Sequence, residues 1–178
     1  RIGAGSALTG SGLIVRVLTA LTRPQVALPL FIGTLYGWHI PQAYNGSLEN
    51  EWLHLFMHFT MFVTAILFWW PIIGPPPIRT QLNYPRRIVY LLLAVTPTAL
   101  LAAIITLTKT VLYDFYLNAP GHFMWSAMED QRVGGLFMWI PGNFVYLLTL
   151  TVLFFKWFNE EERKSLRSAQ RRPPTHKP

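Results

Sequence analysis

Between Glu51 and Gly74 the chain reads EWLHLFMHFTMFVTAILFWWPIIG, a run whose only formal charge is at its start. A spanning helix takes about 20 mostly apolar residues, so this stretch predicts a membrane-crossing α-helix. His54, Met57, His58 and Met61 interrupt it at i, i+3, i+4 and i+7, which places all four on one helical stripe. An ionisable side chain at membrane depth is costly and marks a functional position by default. Imidazole with thioether sulfur is a soft ligand set that suits copper, above all Cu(I). A structural reading fits the same residues, because methionine fills gaps in packed interfaces and an intramembrane histidine bonds to a neighbouring helix.

The rest of the chain supports a bundle. With 52% hydrophobic and 13% charged residues, a chain of 178 residues has too little polar surface for a soluble globule. The expected fold is all-α, a polytopic membrane protein of four transmembrane helices at about 24–40, 52–74, 88–108 and 133–157. These spans make up a transmembrane domain of residues 24–158, preceded by an interfacial segment 1–23 and followed by a charged cytoplasmic tail 159–178. Gly33-x-x-x-Gly37 is the small-residue pattern of closely packed membrane helices. Asn45-Gly46 predicts a turn, Pro97 a kink, and Pro141-Gly142 an interruption of the fourth span. The connector Lys109–Arg132 carries Tyr113, Phe115, Tyr116, Phe123 and Trp125, an aromatic content expected of a segment lying on the membrane surface. Asp130 stands where the fourth helix begins, as an N-cap or as a ligand.

The net charge of +7 raises the question of nucleic acid, and its distribution answers it. Of the 15 Lys and Arg, 13 lie before the first span, between the second and third, or at the end of the fourth and beyond; Lys109 and Arg132 are the exceptions. The positive-inside rule then puts both termini in the cytoplasm of a multi-pass protein of the cell inner (plasma) membrane. The cations orient the chain in a lipid bilayer, and no nucleic acid is needed to account for them. This topology carries His39, His54 and His58 to the outer end of the bundle, with His122 and Asp130 nearby, and predicts that the first three meet. Without cysteine, a metal site has only His, Met, carboxylate or backbone to use. No nucleophile beside a base and no phosphate loop is visible, so the chain does not read as an enzyme.

Two stretches, WHIPQAYNGSLENEWLHLFMHFTMFVTAILFWWPIIG and DQRVGGLFMWIPGNFVYL, together resemble the CtaG family, membrane assembly factors of caa3-type cytochrome c oxidase. The shared elements are WH-x-P at His39, the pair His54 and His58, FWWP at Phe68–Pro71, and DQ-x-x-GG-x-x-MW-x-PG at Asp130–Gly142. The resemblance implies a role in maturing a haem-copper oxidase of the respiratory chain, with copper handled on the outer face. The candidate metal residues are His39, His54 and His58, with Asp130 and Met57 as additions. Two other readings stay open at this point: a structural accessory subunit of a larger respiratory or photosynthetic membrane complex, and a bundle binding haem between two histidines.

Overall fold

The computed structural model describes residues 8–74, 82–118 and 126–170, and among these the regular structure is entirely helical. The helices are α1 (Leu8–Leu21), α2 (Pro24–Trp38), α3 (Pro41–Glu49), α4 (Glu51–Ile73), α5 (Tyr84–Leu107), α6 (Phe115–Asn118) and α7 (Ala127–Gln170). Three of them, α4, α5 and α7, are long and apolar enough to cross a membrane. The remaining expected span, the first in chain order, is α2, which has 15 residues and falls short of a bilayer alone. Pro24 forces the residue before it into extended backbone, with Arg23 at φ −62°, ψ 134°. The axis consequently turns by 69° between Gly12–Leu21 and Pro24–Trp38, and the two make a fourth crossing only as one bent unit.

Several local expectations are corrected. Asn45-Gly46 makes no turn, because Pro41 opens a nine-residue helix, α3, that runs through both residues. Pro141-Gly142 does not interrupt α7, which continues for 44 residues; a proline removes a single ladder bond and membrane helices tolerate it. Past Trp157, α7 runs on to Gln170 as a polar helix with Lys164 beside Glu160 and Glu161, at 2.8 and 2.9 Å. A Cβ built at Gly33 or Gly37 would meet nothing within 4 Å, so neither glycine marks a close helix approach among the described residues.

Two antiparallel pairs, α2 with α4 and α5 with α7, pack into the bundle. Phe68 is fully buried at its centre, stacked on Phe31 at 4.7 Å and Tyr90 at 5.2 Å, with Leu91, Ala94 and Tyr146 completing the core. The Tyr90 hydroxyl donates to the Phe68 carbonyl at 3.2 Å, so a polar atom at depth is satisfied. Outside this core the helices present Leu55, Phe59, Phe62, Leu92, Leu93, Phe144 and Leu148, all exposed. An apolar surface of this kind belongs in lipid. At one end Gly74 closes α4 in the left-handed conformation (φ 65°), and Arg87 donates to the Ile72 carbonyl at 2.8 Å, a cation on a helix C-terminus.

The opposite end holds a second cluster of Leu35, Leu101 and Ile105, against which Tyr36, Met61, Leu112 and Met138 pack. Here Gln131, only 6% exposed, binds the connector to the bundle. Its Oε1 accepts from the Leu112 amide at 2.6 Å, and its Nε2 donates to the carbonyls of Ile105 and Thr110 at 3.3 and 3.2 Å. Gln131→Leu orphans these backbone groups in a closed site and is expected to cost about 2–3 kcal/mol. Thermal unfolding of the purified chain in detergent measures this, and a loss under about 0.5 kcal/mol would contradict the clamp.

Candidate functional site

The polar residues at this end of the bundle divide into two arrangements. On the first two turns of α4, Nε2 of His54 lies 2.9 Å from Nε2 of His58, with ring centroids 4.6 Å apart. One turn separates them, so the i, i+4 spacing alone brings the rings together. At that distance one ring donates and the other accepts. His58 is exposed and His54 half-buried, so the pair stands at the bundle's edge, not inside its core.

Met57 belongs to the packing. It is 5% exposed, and its sulfur accepts from the Ser47 hydroxyl at 3.5 Å, which ties α4 to α3. Met61, the fourth member of the stripe, packs on the Leu35 cluster.

His39 goes elsewhere. Trp38 donates from Nε1 to Thr60 Oγ1 at 2.9 Å and so takes the face of α2 that looks at α4. The next residue is turned about 100° further round the helix, and the His39 ring faces a cavity between α2, α3, α5 and α7. Its Nδ1 donates to the Leu35 carbonyl at 2.7 Å, which in the neutral ring leaves the lone pair on Nε2. Among the described residues no three His, Cys, Asp or Glu side chains group closely enough to hold one ion. The nine residues of α3, about 13 Å of helix, take the place of the tight connector that would have set His39 beside His54.

The cavity measures 390 Å³ and is lined by His39, Tyr44, Tyr113, Tyr116, Asp130 and Gln131 together with apolar residues of α5 and α7. Tyr113, in the connector, is packed against the bundle. It is 4% exposed, with its hydroxyl donating to the His39 carbonyl at 3.3 Å and its ring 4.3 Å from that of Tyr44. The Tyr44 and Tyr116 hydroxyls are 3.4 Å apart. Burial pushes the Tyr113 phenol up to about 12 and raises Tyr116 further, so both stay protonated at neutral pH. Phe123, Trp125 and His122 lie outside the described residues.

Asp130 is not the N-cap of α7. That role falls to Ser126, whose Oγ accepts from the Glu129 amide at 3.3 Å, while Glu129 Oε2 accepts from the Ser126 amide at 2.8 Å. This reciprocal pair is a capping box, and the S-x-x-E spacing at 126–129 was the sequence signal for it. Asp130, one residue on, lines the cavity instead. Ser126→Ala is therefore expected to lower the melting temperature by about 2–4 °C, whereas Asp130→Asn leaves it unchanged; the reverse order would return the cap to Asp130.

The His54–His58 donors are two imidazoles, a set that suits copper among other transition metals. Metal–imidazole bonds of about 2.0–2.1 Å meeting at a near-tetrahedral angle separate two nitrogens by about 3.3 Å, so the pair need open only by roughly 0.4 Å. Two neutral imidazoles bind through Nε2 when both Nδ1 atoms carry the protons.

The sequence profile described as cytochrome c oxidase caa3 assembly factor (Caa3_CtaG) matches residues 7–160. Uncharacterized proteins of Mycobacterium bovis and Mycobacterium tuberculosis are each 30% identical to this chain over 154 residues, covering 85% of it and 23% of the relative. One from Mycobacterium leprae is 26% identical over 162 residues, covering 90% of this chain and 24% of its own. The chain thus spans about a quarter of the length of the curated relatives it matches. No solved structure matches it.

Proposed function

This chain belongs to the cytochrome c oxidase caa3 assembly factor family, and we propose that it assists assembly of a haem-copper oxidase by holding copper at the His54–His58 pair. It does so without catalysing a reaction of its own, from a multi-pass position in the plasma membrane. Both termini face the cytoplasm, the orientation favoured by the cations Arg16, Arg23, Arg86, Arg87 and Lys156 near one end of the helices. The histidines then face outward, at the other end.

The observation that carries the copper reading is the 2.9 Å approach of two imidazoles at the edge of the bundle, where a partner can reach them. A buried pair would trap an ion, whereas an exposed pair can pass it on. Two nitrogen ligands leave coordination positions open for a receiving site, and soft, low-coordinate Cu(I) tolerates that. His39 and Asp130 are no part of this pair, and Met57 supports it only by fixing α4 against α3.

Gentle solubilisation of the tagged chain from growing cells tests the partnership. Association with oxidase subunits that still lack copper, and release from the mature enzyme, is the expected result. Recovery at fixed stoichiometry with a finished redox complex would make the chain an accessory subunit and end the assembly reading.

A further inference from the structure

The cavity at the outer end has features that the copper reading does not use. Among the described residues, Asp130 is the one acidic side chain in its lining, and no Lys or Arg lines it. The capping box leaves the Asp130 carboxylate free of helix-end duty, and no ion pair is formed with it among the described residues. Three tyrosines, Phe137 and the His39 ring form the walls around it. A carboxylate in a cavity lined by electron-rich rings, with no Lys or Arg among the described lining residues, favours a cation.

Size and donor chemistry decide which cation. The 390 Å³ volume falls within the range of small-molecule pockets, about 300–1,000 Å³, and far exceeds the ~30 Å³ of one water. For a bare metal ion the lining supplies only His39 and Asp130 as strong donors, and no third carboxylate or imidazole joins them among the described residues. Gln131 has both ends committed to backbone groups. The tyrosine hydroxyls, held protonated by burial, are hydrogen-bonding groups, not anionic ligands.

We propose that the cavity bounded by His39, Tyr44, Tyr113, Tyr116, Asp130 and Phe137 binds a small organic cation with an ammonium head. Asp130 supplies the counter-charge, and the aromatic rings supply the cation–π surface. The head can belong to a soluble amine or to a lipid, and the shared chemistry is the ammonium. This assignment stands independently of copper at His54 and His58.

The test uses the full chain in a maltoside detergent, which has no ammonium group. Choline chloride is titrated against sodium chloride of equal ionic strength, with the melting temperature and tyrosine fluorescence as readouts. Its neutral carbon analogue, 3,3-dimethyl-1-butanol, serves as control. Saturable stabilisation by choline and not by the analogue is expected, with Asp130→Asn weakening it at least about tenfold and Tyr116→Phe, which keeps the ring, retaining it. Should Asp130→Asn fail to fold, the comparison of choline with its analogue on the wild-type chain decides alone. Repeating the titration in phosphatidylglycerol vesicles, with and without phosphatidylethanolamine, assigns the source. Lower choline affinity in the mixed vesicles points to a lipid head, and equal affinity to a soluble ligand. No saturable effect, equal binding of choline and analogue, or Asp130-dependent binding of zinc or Cu(II) without choline binding would each overturn the proposal.

Discussion

Replacing both His54 and His58 by alanine is expected to leave a folded chain that no longer retains copper. The two side chains bond to each other, one exposed and one half-buried, so their joint removal strands no buried partner. The change in stability should stay below about 1 kcal/mol. Copper is a different matter, because the nitrogens are the proposed ligands themselves. Losing even a residue that merely supports a ligand typically weakens a metal site about 10–100-fold, so loss of both ligands should exceed that. Competition with a Cu(I) chelator under reducing conditions measures it: near one copper per wild-type chain, background in the double variant. Each single variant should fall most of the way, since one imidazole makes no chelate. Unchanged retention in the double variant would detach copper from α4.

Gly135→Leu is expected to yield little or no folded protein. A Cβ at Gly135 would sit 3.0 Å from the backbone nitrogen of Thr106 and 3.2 Å from Ile105 Cγ2, and would overlap the Thr106 hydroxyl. A side chain can swing aside, but the backbone of α5 cannot without parting the α5–α7 pair. Even Gly135→Ala should cost about 1–3 kcal/mol as an overpacked contact, and leucine considerably more. The neighbour provides the control. Nothing lies within 4 Å of a Cβ at Gly134, which is exposed, so Gly134→Ala is expected to be neutral or slightly stabilising, because alanine favours helix. Yield and melting temperature of the two alanine variants separate them, and equal behaviour would contradict the packing described here.

These two sites show how much was legible in the residues. The spanning helices α4 and α5 follow from long apolar runs, and the His54–His58 contact follows from i, i+4 spacing, because both depend only on helical geometry. What failed were inferences that needed to know the neighbour. Gly33 and Gly37 match the close-packing pattern but face no helix among the described residues, while Gly135, inside DQ-x-x-GG, is the glycine that α5 presses against. Asn45-Gly46 has turn propensity, yet Pro41 and the packing of Ser47 on Met57 make the segment helical. Asp130, just before the apolar run, reads as either a cap or a ligand, although Ser126 and Glu129 form the more complete capping signal. The connector between His39 and His54 looks short in sequence, but it folds into the nine-residue helix α3. Part of the DQ-x-x-GG motif that carried the family resemblance is architectural: Gln131 and Gly135, one turn apart, fasten α7 to α5.

The central claim is that this chain helps bring copper to a haem-copper oxidase. It is tested most directly by the copper content of the oxidase isolated from cells lacking the chain. The account predicts an oxidase depleted in copper, restored by the wild-type gene and not by one carrying His54→Ala and His58→Ala. Full metallation without the chain, or complete restoration by the double variant, would contradict it.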